Sequence, residues 1–349
     1  MKIFAIESSC DESAVAYFDS DIGVVESLVH SQVDMHALYG GVVPDLASQD
    51  HLAKLPALIK QLCGKCPDMD EIAVTCGPGL PNCLAVGVAA AEGLAMAMGK
   101  PLRGVNHLCG HAFSPFIEVH KSAPAEFWCN YKGLLPHLGL VASGGNSIIF
   151  EIGTDRKLRV LAETVDDAAG EALDKGAKLL GMPYPGGALL EKTARGAKID
   201  KNLFPYGQNR NLGQDPRLSF SGLKTSLRYH LEKIGPQAAR ENLGTICASY
   251  QFAVVEQLRR HARHFLARGE YSSLGLSGGV SNNSALSAAF GELSQKYCRR
   301  PLLLAERQYR GDNAAMIAFA AFAAPELCIE PQNLSVKILP NAGIARADA

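Results

Sequence analysis

The chain carries two histidines four residues apart, in Asn106-His107-Leu108-Cys109-Gly110-His111. On a helix this spacing puts both imidazoles on one face, about 6 Å apart at Cβ, within reach of one transition metal. Two ligands do not make a site, and most histidines are simply hydrogen-bonded, so a third ligand and a substrate must come from elsewhere. Glu7-Ser8-Ser9-Cys10-Asp11-Glu12 lies between apolar Ile3–Ile6 and Ala14-Val15-Ala16-Tyr17. This is a hairpin pattern whose turn could offer N–H groups to an anion. The design recurs at Ser143-Gly144-Gly145-Asn146-Ser147, between Leu138–Val141 and Ile148–Phe150. Paired glycines would remove side chains where a ligand approaches the backbone. An ordinary hairpin explains either turn alone. Their repetition, one near the start of each half, predicts a duplicated architecture holding a phosphate-bearing ligand between the two turns.

Short strands and helices alternate around these groups. Tyr39–Asp45 reads as a turn, followed by a helix from about Ser48 to Leu62. Ile72–Thr75 is a buried strand running into Gly77-Pro78-Gly79 and a small-residue helix, Leu84–Met98, stopped by Gly99 and Pro101. Gly87 and Gly93 inside that helix cost about 1 kcal/mol each relative to Ala, which close packing would offset. Leu102–Val105 then delivers the His pair at a strand end, where ligands gather in open α/β sheets. Val119–Leu135 mixes Pro, charge and the single tryptophan and reads as a linker between halves.

In the second half a capped helix is expected over Thr164–Leu180, with Asp166 and Asp167 at its start and Gly181 and Pro183 beyond its end. Glu171 with Lys175, and Asp174 with Lys178, have the spacing of solvent-facing helix pairs. Residues Lys192–Arg217 are irregular and basic (Lys192, Arg195, Lys198, Lys201, Arg210, Arg217). The helix Thr245–Arg268 carries Arg259, Arg260, His261, Arg263, His264 and Arg268, a solvated face by default and a phosphate contact as the alternative. Leu274–Leu276, Ser277-Gly278-Gly279-Val280-Ser281-Asn282-Asn283 and a helix form a strand–turn–helix unit with helix amides available to a nucleotide. Asp312 stands where it could cap the small-residue helix Ala314–Ala324.

The 349 residues suffice for two domains, and a chain 47% hydrophobic and 20% charged with 34 glycines reads as soluble α/β. A net charge of −1 gives no global basic footprint, so nucleic acid would be met by a local patch or with help from another protein. No hydrophobic run approaches the roughly 18–20 residues that span a bilayer, and the N-terminus shows no targeting segment; no membrane role is expected. Ten scattered cysteines suit a reducing cytosol, and the lone Cys63-Gly64-Lys65-Cys66 lacks the second pair a zinc site needs.

Taken in order, these pieces resemble the TsaD family of tRNA threonylcarbamoyladenosine transferases over Ile3 to about Ala324. The marks are Glu7–Glu12, Tyr39-Gly40-Gly41-Val42-Val43-Pro44, Gly77-Pro78-Gly79-Leu80, His107-x-x-x-His111, Ser143-Gly144-Gly145 and Asp166–Lys175. They continue with Tyr184-Pro185-Gly186-Gly187, Phe220–Thr225, Gly278-Gly279-Val280 and Asp312–Met316. The resemblance implies an α/β, two-domain actin/Hsp70-like (ASKHA) nucleotide-binding fold with duplicated βββαβα-type subdomains. These would be residues 1–130 with the His pair and 131–349 with the nucleotide-binding turns, helix 314–324 packing back on the first. It implies one divalent metal, iron(II) in preference to zinc, on His107, His111 and Asp312. The nucleotide would lie along Val141, Ala142, Ser143, Gly144, Gly145, Asp174, Gly187 and Asn283. Asp11 or Glu12 is the candidate base.

The implied reaction moves a threonylcarbamoyl group from threonylcarbamoyl-AMP to N6 of the adenosine beside the anticodon of tRNAs reading ANN codons. The implied partners are tRNA, an inactive TsaB-like paralogue and a small TsaE-like ATPase, in the cytoplasm. Five positions depart from the family's usual pattern: Cys109 replaces Glu, Asn146 His, Gly311 Thr, Asn82 Gly and Gln49 Arg. A kinase or ATPase of the same architecture, or a divergent regulatory paralogue, is the alternative. A metalloprotease is disfavoured because no His-Glu-x-x-His helix is present.

Overall fold

The computed structural model describes residues 1–207 and 211–344; Arg210 lies outside the described residues. In chain order the elements are β1 (Lys2–Glu7), β2 (Glu12–Asp19), β3 (Gly23–Ser31), α1 (Val33–Ala37), α2 (Pro44–Lys65), β4 (Glu71–Gly77), α3 (Pro81–Met98) and β5 (Leu102–Asn106). Then come α4 (His107–Phe113), α5 (Ile117–Ser122), α6 (Phe127–Lys132), β6 (His137–Ala142), β7 (Ser147–Ile152), β8 (Leu158–Glu163), α7 (Ala169–Leu179) and α8 (Gly187–Ala194). The rest is α9 (Ser221–Glu241, broken at Gly235), α10 (Leu243–Leu266), β9 (Ser273–Ser277), α11 (Ser284–Tyr297), β10 (Leu303–Leu304) and α12 (Ala314–Ala323).

Two compact units result: Met1–Gly133 with Leu304–Ala349, and Leu134–Leu303. Each holds one five-stranded sheet, in the orders β3-β2-β1-β4-β5 and β8-β7-β6-β9-β10. In both, the first two strands form an antiparallel hairpin and the first also pairs in parallel with the fourth. The same plan is thus built twice.

In the first unit β1 is buried on both faces, as its near-continuous apolar run requires. Phe4 and Ile6 join a core with Leu55, Leu62, Val88 and Ala91 from α2 and α3. On β2, Phe18 meets Phe319 and Phe322 of α12. That helix is apolar around its whole circumference and buried at all but Phe322, which is why the chain beyond residue 303 belongs to the first unit and not to the second half.

Three sequence expectations are corrected here. Val119–Leu135 is mostly helical: Phe127 and Tyr131 are buried and stack with centroids 5.6 Å apart, Phe127 also meeting Phe319, so aromatic burial overrides the linker-like composition. The helix over Asp166 begins only at Ala169; Asp166 instead accepts from Phe220 N–H (2.7 Å) and from the Ser219 and Ser221 hydroxyls, capping α9. And α3 has the length and composition of a membrane-crossing helix. It carries the one acidic side chain Glu92, which accepts from Val336 N–H at 3.0 Å, and it packs on α2 and β4.

The two α3 glycines part company. A Cβ on Gly87 would lie 2.1 Å from Ser8 Oγ, whereas one on Gly93 meets nothing within 4 Å. Gly93→Ala should therefore raise stability by ~1 kcal/mol in urea unfolding, while Gly87→Ala should lower it and disturb the Ser8 turn.

In the second unit His137 is fully buried, and its Nδ1 lies 2.7 Å from Ser273 Oγ. The Ser273 hydroxyl donates to the Leu134 carbonyl, so it accepts the His137 Nδ1 proton. Burial pushes this imidazole down to about 3. Unfolded, the side chain takes up its proton near 6.5, so its contribution to stability is full above that pH and is lost as the pH falls toward 3, at up to ~1.4 kcal/mol per unit. Urea midpoints should fall between pH 7 and pH 5, and fall less in His137→Asn, whose amide keeps a donor for Ser273 without titrating.

Candidate metal centre

β5 runs straight into α4, and Asn106 makes the junction. Its Oδ1 accepts from Leu108 N–H (2.8 Å) and Cys109 N–H (3.4 Å), the N-cap arrangement, while its Nδ2 donates to the Gly343 carbonyl at 3.0 Å. The cap starts the helix at His107, so His107 and His111 fall one turn apart, their rings 4.8 Å between centroids and nearly perpendicular. Opposite them, the N-cap of α12 is Asn313, which accepts from Met316 N–H at 2.9 Å. Asp312 is therefore not the cap, contrary to the sequence expectation. A neighbouring amide does the capping and the carboxylate turns to the histidines.

Asp312 Oδ1 lies 3.0 Å from His111 Nε2 and 3.6 Å from His107 Nε2. The three ligand atoms lie within 4.8 Å of one another and, among the described residues, form the one such group. Both histidines are buried and Asp312 is partly exposed. On its far side His107 Nδ1 meets Glu7 Oε2 at 3.0 Å. Burial alone would lower the His107 pKa, but Asp312 and Glu7 outweigh it and raise it to about 9. Burial likewise works against Asp312, yet His107 and His111 hold its carboxyl well below the usual range. Two imidazole nitrogens and one carboxylate oxygen, converging at a partly open place, fit a divalent transition metal. His111 Nδ1 is buried and has no hydrogen-bond partner among the described residues.

Glu12, at the start of β2, is raised to about 10 by burial, then by Asp312 and Asp11, and accepts from the Ser31 hydroxyl at 3.3 Å. Asp11 lies beside it in the β1–β2 turn. Cys109 is buried and donates to the Ile344 carbonyl at 3.3 Å; it is not among the converging groups. Asn82 and Gln49 are exposed, and Gly311 has open space around it. Glu7 and Asn106 are the residues that spacing alone did not single out. An Asn directly before a helix was the available signal for the second.

In the second unit the other candidates lie at the end of β6 and its turn, in α7, at the start of α8 and just before α11. Val141 and Ala142 close β6, and Ser143 N–H donates to the Asn146 carbonyl at 2.8 Å, leaving Gly144 and Gly145 exposed at the tip. Gly278 (φ 84°) packs where a Cβ would lie 2.3 Å from the Ala142 carbonyl oxygen. The Glu171–Lys175 pair forms at 2.8 Å, but Asp174 accepts from Gly187 N–H at 2.7 Å. Burial raises its pKa against the pull of the Gly187 and Gly186 amides. Asn283 caps α11 through Leu286 N–H and donates to Gln251 Oε1 at 3.0 Å. Two of the α11 amides expected to be available are engaged, since Ser284 N–H also donates to Glu191. On the basic run of α10, Arg259 pairs with Glu256, and Arg268, just past the helix, hydrogen-bonds the His264 ring.

A family model described as TsaD, tRNA N6-adenosine threonylcarbamoyltransferase, matches residues 23–319. The chain belongs to this family. A relative of that name from Anaeromyxobacter sp. is 42% identical, covering 92% of this chain and 93% of its own. One from Thermosipho africanus is 37% identical, covering 92% and 94%. Among solved structures, HypF of T. kodakarensis superposes with a TM-score of 0.58 at 14% identity, over 92% of this chain and 47% of its own. The Acidaminococcus fermentans (R)-2-hydroxyglutaryl-CoA dehydratase component A gives 0.50 at 12% identity, over 90% and 95%. These likenesses show the fold, the actin/Hsp70-like architecture that the family resemblance implied. The TsaD family implies a divalent metal, and the two histidines and Asp312 provide for it.

The centre depends on how closely α4 approaches α12. A Cβ on Gly110 would stand 2.9 Å from Ile317 Cδ1 and 3.0 Å from Met316 Cγ. Gly110→Val should separate the helices, cost ~1–3 kcal/mol, and lower zinc or iron retained after desalting, read by elemental analysis beside a urea unfolding curve.

Proposed function

We propose that this chain transfers the threonylcarbamoyl group from threonylcarbamoyl-AMP to N6 of the adenosine next to the anticodon in tRNAs reading ANN codons, releasing AMP. The observation that carries the reading is the convergence of His107, His111 and Asp312, from two distant stretches of a TsaD-family chain. His107, His111 and Asp312 would hold one divalent metal, iron(II) in preference to zinc. When bound, it would anchor the threonyl part of the donor and supply positive charge near the reacting carbonyl.

The residues of the chain would do the rest. Backbone amides around Ser143–Gly145, with Val141, Ala142, Gly187 and Asn283 nearby, would hold the AMP portion, and Asp174 would accept from a ribose hydroxyl. Holding donor and acceptor in attack geometry supplies much of the rate. As N6 attacks the carbamoyl carbon, the carbon–oxygen bond to the phosphate breaks and AMP leaves with its electron pair. The N6 proton passes to a carboxylate, for which Asp11 is the candidate. Glu12, its neighbour on the same turn, is the other candidate. We further propose that the chain acts in the cytoplasm with a TsaB-like inactive paralogue and a TsaE-like small ATPase. The net charge of −1 agrees with tRNA affinity borrowed in part from partners.

The test combines the chain, these partners, threonylcarbamoyl-AMP and unmodified tRNA. Modified adenosine should form with stoichiometric AMP, and His107→Ala, His111→Ala and Asp312→Ala should each lose one equivalent of metal and most of the activity. No modified adenosine, while a known enzyme works in parallel, would refute the reading. Steady ATP turnover without tRNA would favour a kinase or ATPase of the same fold.

A further inference from the structure

We infer that Glu7 is the positioning residue for His107: its buried carboxylate holds the imidazole proton on Nδ1 and so commits the Nε2 lone pair to the metal centre. The inference rests on the metal reading above.

Glu7 ends β1 and is fully buried. A carboxylate in so dry a place is tolerable only if its oxygens are satisfied, and three elements supply the donors. Ser9 N–H, in the β1–β2 turn, donates to Oε1 at 2.5 Å. The Thr75 hydroxyl, on β4, donates to Oε2 at 2.5 Å. His107 Nδ1, on α4, is 3.0 Å from the same Oε2. Both oxygens are thus taken up as acceptors, the pattern of an ionised carboxylate.

An ionised carboxylate can only accept, so the nitrogen facing it must be the donor. An imidazole that binds a metal is neutral and keeps one N–H; spending that N–H on Glu7 makes Nε2 the nitrogen that gives its lone pair to the metal. That atom is the one pointing at Asp312, 3.6 Å away. Ser9 Oγ, 3.2 Å from Nδ1, can accept from the same N–H and reinforces the choice. His111 has no comparable partner among the described residues, its Nδ1 being buried without one. One ligand is therefore oriented in advance and the other is set by its contact with Asp312.

Glu7→Gln probes this directly. Ser9 N–H requires an acceptor at one position, so the Gln carbonyl is drawn there and its NH2 is left facing His107. That group donates to Nδ1, moves the ring proton to Nε2, and closes the metal-binding atom. The measurements are zinc affinity of the apoprotein by chelator competition, without tRNA or nucleotide, and 15N-histidine NMR of the zinc-loaded protein, with His107 assigned from the spectrum of His107→Gln. Expected are a zinc affinity weaker by roughly 10- to 100-fold in folded Glu7→Gln, and a wild-type His107 protonated at Nδ1 with zinc at Nε2. A folded Glu7→Gln that binds zinc within twofold of wild type overturns the role of Glu7 alone. So does a wild-type His107 carrying zinc on Nδ1, a result that decides the matter even if the variant does not fold. Failure of the wild-type chain to take up zinc or iron(II) overturns the centre and this inference together.

Discussion

The first unit is organised by the need to bury α12. A helix with no polar face has nowhere stable to lie except inside, and β1, β2 and α4 are what cover it. Once it is there, the residues just before it have little freedom. Asn313 closes the helix end, and the preceding side chain, Asp312, is delivered to the open side of α4. A ligand set spread over two hundred residues is thereby brought together by apolar packing, and the contacts of Asp312 with His111 and His107 add to it. Gly110 marks how closely the two helices must approach.

That assembly concentrates charge. Glu7 and Asp312 flank His107 on opposite edges, and Glu12 and Cys10 sit near enough that burial and the neighbouring carboxylates push their pKa values far upward. A site with this many acids is electrostatically expectant: without a cation it holds extra protons on His107 and Glu12. A divalent ion would replace that positive charge at the same place. The carboxylates are too many for the imidazoles alone, which agrees with a metal as the group the centre is built around.

The sequence was most readable where local pattern and burial agree. The two hairpins and the strand before the His pair are set by short-range chemistry, and the repeated sheet order follows from them. It misled where a polar residue serves a distant element. Asp166 looks like the cap of the helix that follows it, and spacing cannot reveal that the amides it satisfies lie fifty residues downstream. Asp312 looked like a cap because Asn313, one place along, is an equally good one. Val119–Leu135 has the composition of a connector, but its aromatics find partners on α12 that no local window contains. Asp174 and Lys178 have helix-pair spacing, yet the start of α8 offers Asp174 a backbone donor. Glu7 was visible as part of a motif, but its contact with His107 spans a hundred residues and is a fact of the sheet.

The segment running past Val336 has a mechanical meaning. Leu339 N–H reaches the Cys76 carbonyl at 2.7 Å, Gly79 N–H the Pro340 carbonyl at 3.1 Å, and the Gly343 and Ile344 carbonyls take Asn106 Nδ2 and the Cys109 thiol. It is a tether knotted onto the first turn of α4, and one of its knots is Cys109. A pull on this end of the chain, from a fused tag, a protease or a neighbouring protein, is transmitted first to the cap that sets where His107 begins its helix.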